Sequence, residues 1–103
     1  MVVAEFYKEN NSFFKIIISG HANSDKYGKD LVCAGITAIV NGSLNAFDKK
    51  CGKNVEIIVE ENKISIIILE SDKLLQEFVD FLKIQLETIQ IQYPKNIKIK
   101  EVL

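Results

Sequence analysis

The only histidine and one of only two cysteines stand 12 residues apart in the stretch from Gly20-His21-Ala22 to Gly28-Lys29-Asp30-Leu31-Val32-Cys33-Ala34. An imidazole next to a thiol at a helix N-terminus is how a chain makes a thiolate nucleophile near neutral pH. The surrounding pattern puts His21 just past a strand end and Cys33 in the first turn of a helix. A strand end and the start of the next helix can be close neighbours, so the spacing does not keep the two side chains apart. With Asp30 as the N-cap, Cys33 takes the third helical position. Free backbone N–H groups and the positive end of the helix dipole favour a thiolate there. His21 would take the thiol proton and return it to a leaving amine.

Asp30 and Thr37 flank Cys33 at i−3 and i+4, on the same helix face. Asp30 can cap the helix, orient His21 or do both. Its own charge opposes thiolate formation, so it is not the acidifying group. Thr37 offers a hydroxyl to a substrate or to the thiol. Gly20 and Gly28 bracket the polar loop 21–29, where glycine permits positive φ and close approach of backbone to ligand. A mobile hinged loop that closes over a peptide fits this pattern, and so does an ordinary connection with two turn residues. Each residue alone has a plainer reading: a half-exposed histidine, a small buried cysteine, a simple cap.

The elements that must position these groups follow from hydrophobic periodicity. Strands are expected at Val2–Lys8 and Phe13–Ser19, joined by the polar turn Glu9-Asn10-Asn11-Ser12. A helix from about Asp30 to Lys50 carries the stripe Ile36, Val40, Leu44, Phe47 and Cys51. Val55–Glu60 and Ile64–Leu69 form a second hairpin around Glu61-Asn62. A second helix from about Asp72 to Gln92 aligns Leu75, Phe78, Leu82, Leu86 and Ile89, with Pro94 beyond its end. The last strand is Ile97–Val102, with Lys98 and Lys100 on the opposite side from Ile97 and Ile99. The order ββ-α-ββ-α-β predicts a two-layer α+β single domain, an antiparallel-rich sheet with two helices, over residues 1–103.

Composition narrows the partners. The 103 residues leave no room for a second core, and 48% hydrophobic content supports one. A net charge of −1 gives no global pull toward nucleic acid or an anionic membrane. All 13 basic residues are lysines, so no guanidinium is available to clamp phosphate or carboxylate. The N-terminus lacks the features of a signal peptide and no unbroken apolar run reaches about 18 residues, so a cytoplasmic protein is expected. One histidine and two cysteines do not make a metal site, and no cofactor is expected. Cys33 is read as reactive and Cys51 as inert core.

In combination, Gly20-His21-Ala22, Gly28-x-Asp30-x-Val32-Cys33-Ala34 and the following Gly35-Ile36-Thr37-Ala38-Ile39-Val40 resemble the signature of the ribosomal-processing cysteine protease family Prp. Length and element order are similar across the whole chain. The resemblance implies a cytoplasmic endopeptidase that removes the N-terminal extension of a large-subunit ribosomal protein near the peptidyl-transferase centre. It implies His21 and Cys33 as catalytic residues, Asp30 as the acidic residue before the cysteine, and a homodimer. Where the family pattern has Ala-Ala-Val-Ser after the cysteine, this chain has Ala34-Gly35-Ile36-Thr37, which keeps the hydroxyl and adds a methyl.

Two other functions compete on the residues alone. One is a non-enzymatic, ribosome-associated peptide-binding module in which the His–Cys loop only shapes a groove. The other is a thiol redox protein, disfavoured because Cys51 lies about five helical turns from Cys33.

Overall fold

The computed structural model describes residues 1–20 and 31–103. Within them the elements run β1 (Val2–Glu9), β2 (Ser12–Ser19), α1 (Leu31–Cys51), β3 (Val55–Val59), β4 (Lys63–Ile68), α2 (Lys73–Gln92) and β5 (Ile97–Val102). This is the expected order. The strands form one five-stranded sheet in the order β3-β4-β2-β1-β5. Three pairings are antiparallel, and only β1–β5 is parallel.

The first hairpin closes through Asn10 (φ 51°) and Asn11 (φ 64°), between the paired residues Glu9 and Ser12. Two central residues with positive φ make the turn whose twist matches the flanking strands, and asparagine tolerates that conformation. Register slips beyond it. Tyr7 pairs with Lys15 but Lys8 pairs with Phe13, which leaves Phe14 as the extra residue of a bulge. The bulge allows Phe13, Ile16 and Ile18 to share the buried face although their spacing is not strictly alternate. Phe14 is instead 40% exposed, with its ring 6.1 Å from that of Tyr7.

Both helices contribute to a single core with one face of the sheet. From the strands come Val2, Ala4, Phe6, Ile16, Ile66 and Ile97; from α1 Val32, Ile36, Val40, Phe47 and Cys51; from α2 Leu75, Val79, Leu82 and Leu86. The expected stripes are therefore largely the buried ones. Leu44, Phe78 and Ile89 are only partly buried against the core, and Val79 joins it. Burying each large apolar side chain contributes roughly 1.5–3 kcal/mol. Among the described helices, α1 is long and apolar enough on average to cross a membrane by length and composition alone. Only 22% of that stretch is buried, and its buried residues Val32, Ile36, Val40, Phe47 and Cys51 belong to the core.

Two glutamines on α2 finish what the strands leave open. Strand β4 accompanies β2 only from Lys15 to Ser19, so Phe13 has no strand on that side. The Gln76 side chain stands in for it, with Oε1 accepting from the Phe13 N–H and Nε2 donating to the Phe13 carbonyl, each at 2.8 Å. At the sheet's β5 edge, Gln90 Oε1 accepts the N–H of Ile99 at 2.6 Å. Unpaired, such groups would each cost about 1–3 kcal/mol if buried.

Candidate active site

Because β2 ends where β3 ends and β4 and β1 begin, one end of the sheet gathers Gly20, Val59, Lys63 and Val2. The Gly20 N–H donates to the Asn62 carbonyl (3.1 Å), tying β2 to the β3–β4 turn. Gly20 has φ +87°, and a Cβ there would run into the carbonyl oxygen of Met1. Its glycine is thus demanded by a positive φ together with close backbone packing against β1.

A cleft of about 260 Å³ opens at this end. Cys33, Ile36, Thr37, Val40 and Asn41 give it a wall along α1. Val2, Ile18 and Ile64 line it from three adjacent strands, and the turn from Val59 to Lys63 forms the rim. Cys33 is the third residue of α1 and half-buried. Thr37 lies one turn further along the same wall. A thiol and a hydroxyl therefore face one apolar space with carboxylates (Glu60, Glu61) at its mouth. Glu60 pairs with Lys63 at 3.7 Å, but both are well exposed and the pair adds little to stability.

Of the residues that the sequence singles out, Cys33, Thr37 and Gly20 come together in this cleft. His21, Gly28, Asp30 and the loop between them lie outside the described residues. The rim has no signature in the sequence. Glu61 and Asn62 read only as turn residues, and nothing in the sequence ties that turn to Cys33.

Cys51 occupies the opposite end of α1. It is 5% exposed, and burial first, then the nearby Asp72 carboxylate, push its thiol above the ordinary value. Asp72 is held there as the N-cap of α2, accepting the Leu75 N–H at 2.8 Å. Eighteen residues of helix separate the two cysteines by about 27 Å at 1.5 Å per residue, which excludes a disulfide between them within one chain.

A half-buried thiol at the head of a helix thus borders a cleft with apolar walls. The chain belongs to the cysteine protease Prp family, whose sequence profile it matches over residues 1–98. It is 31% identical over 88 residues to the ribosomal processing cysteine protease Prp of Staphylococcus aureus, covering 82% of each chain. The protein of the same name from Bacillus subtilis is 30% identical over 89 residues, with 80% of each covered. A crystal structure of the S. aureus ribosomal processing protease Prp with a covalently linked product peptide matches this fold with a TM-score of 0.91. Identity there is 25%, over 98% of this chain and 99% of that one.

Proposed function

We propose that this chain is a cytoplasmic cysteine endopeptidase that removes the N-terminal extension of a large-subunit ribosomal protein, with Cys33 as nucleophile and His21 as general base. The observation that carries this is the position of Cys33 in a solvent-open cleft at the start of α1, in a chain of the Prp family. The Cys33 thiolate attacks the scissile carbonyl carbon. Backbone N–H groups at the helix start hold the oxyanion, each such donor contributing a factor of about a hundred to a thousand. His21 carries the thiol proton to the departing amine, leaving a thioester. Water then attacks the thioester, His21 takes the water's proton and returns it to the sulfur, and the acid product leaves. The Thr37 hydroxyl contacts the bound peptide or the thiol, and Asp30 caps the helix or orients His21.

The test is incubation of the purified protein with the extended ribosomal-protein precursor encoded in the same genome. Mass spectrometry is expected to find one new N-terminus at the end of the extension. An intact precursor under conditions where Cys33 can be alkylated would refute the reading.

The same proposal includes a homodimer. Leu74, Phe81, Ile84 and Ile91 are 48–80% exposed and, at spacings of seven, three and seven, share the α2 face opposite its buried stripe. A groove of about 350 Å³ beside them, between α1 and α2, includes Ala38, Gly42, Phe78 and Phe81. A second copy covering this face would remove it from water. Light scattering is expected to give twice the 11.7 kDa chain mass, and Phe81→Glu to give the monomer. A monomeric wild type would sink the pairing.

A further inference from the structure

The two edges of the sheet are treated differently. At β5, the side chain of Gln90 accepts the N–H of Ile99, and the strand carries Lys98 and Lys100. At β3, hydrogen bonding to β4 follows the antiparallel alternation. Glu60 N–H donates to Lys63, and Leu69 N–H donates to Asn54, both at 2.8 Å. With the continuous register from Val55↔Ile68 to Val59↔Ile64, the even-numbered residues bond inward to β4. Val55, Ile57 and Val59 therefore direct their N–H and C=O groups away from the sheet.

Edges left in this state are templates for another strand, and proteins commonly blunt them with a bulge, a proline or a lysine. The strand β3, Val55-Glu56-Ile57-Ile58-Val59, has none of these. Glu56, its one charged residue, is exposed, and at the cleft end Ile58 is 40% and Val59 66% exposed. Val59 also lines the cleft that holds Cys33. Among the described residues, the edge is open and runs into the cleft.

We infer that the substrate peptide binds as an extended sixth strand on the outer edge of β3, its backbone paired with Ile57 and Val59, so that the chain runs off the end of β3 past Cys33. This rests on the protease reading above. Main-chain pairing holds the peptide extended whatever its side chains, and alternate side chains supply the selection. The peptide residue beside Val59 turns its side chain toward the cleft, and the next turns toward the helix-free face. Backbone pairing also suits a chain without arginine, because it needs no side-chain clamp on the peptide.

The experiment is residue-resolved amide exchange on the full-length Cys33→Ala variant, with and without a peptide spanning the extension and the first residues after it. Cleavage of the same peptide by the wild type is measured in parallel. The peptide is expected to slow exchange at Ile57 and Val59 by on the order of tenfold or more, while Ile58 and Glu60, already bonded to β4, stay unchanged. Val59→Pro removes an outward N–H and leaves the β3–β4 ladder intact. It is expected to lower kcat/KM about tenfold relative to Val59→Ala, with an unchanged melting temperature. Cleavage by the wild type with no change at Ile57 and Val59 overturns the edge-strand inference and leaves the protease standing. Protection at those amides in the free protein that grows with protein concentration assigns the edge to a second copy, and also overturns it. Failure to cleave or bind the peptide removes both readings.

Discussion

Alanine in place of Cys33 is expected to abolish precursor cleavage, by at least about ten-thousandfold in kcat/KM, while the domain stays folded. Cys33 is half-buried beside the core rather than inside it, and alanine is the best helix former for the first turn of α1. Loss of activity can thus be separated from loss of structure by circular dichroism and melting. Cys51→Ala is the reciprocal control. It removes a sulfur that is 5% exposed in the core and is expected to lower stability by about 1 kcal/mol while cleavage persists. Iodoacetamide at neutral pH is expected to label Cys33 and spare Cys51, whose thiol burial and Asp72 hold in the protonated form. Wild-type turnover in Cys33→Ala would move the nucleophile elsewhere and end the proposed mechanism.

The second large effect is at Gly20. Gly20→Ala forces a residue with a Cβ to φ +87° and drives that carbon into the Met1 carbonyl. The left-handed conformation alone costs about 1–2 kcal/mol, and displacing β1 raises the expected loss to roughly 2–4 kcal/mol. Because Val2 and Gly20 both line the cleft, the shift reaches the site as well. Chemical denaturation is expected to show the loss in folding free energy. A stability equal to wild type would mean that the strand end relaxes without cost and that the glycine has no structural role.

Periodicity made the elements readable, because each apolar stripe had a partner surface to face. The expected stripe of α2 takes Phe78 and passes over Val79, since two adjacent apolar residues on a helix give no local sign of which is deeper. The bulge at Phe14 was hidden for a similar reason: Phe13 and Phe14 are the same residue type, and only pairing with β1 decides which is buried. Gln76 and Gln90 escaped because their roles depend on where distant strands stop. Strand order, including the parallel β1–β5 pair, is a property of contacts far apart in sequence. Gly20, Cys33 and Thr37, which residue type and spacing single out, line one cleft. The opposite rim, from Val59 to Lys63, carries ordinary turn residues and acquires meaning only when the sheet brings it to α1.

The pairing of β1 with β5 also sets an order of events in synthesis. Val2 N–H donates to the Asn96 carbonyl at 2.8 Å, and Val2 pairs with Ile97, closing a loop of about 95 residues. Such distant closure slows folding relative to local hairpins. It also means that a ribosome-tethered chain lacks the strand that holds Val2 in place until β5 has emerged. Since Val2 lines the cleft beside Cys33, the nascent polypeptide carries an unfinished site. Cys33 is made early, and the cleft around it is completed only with β5.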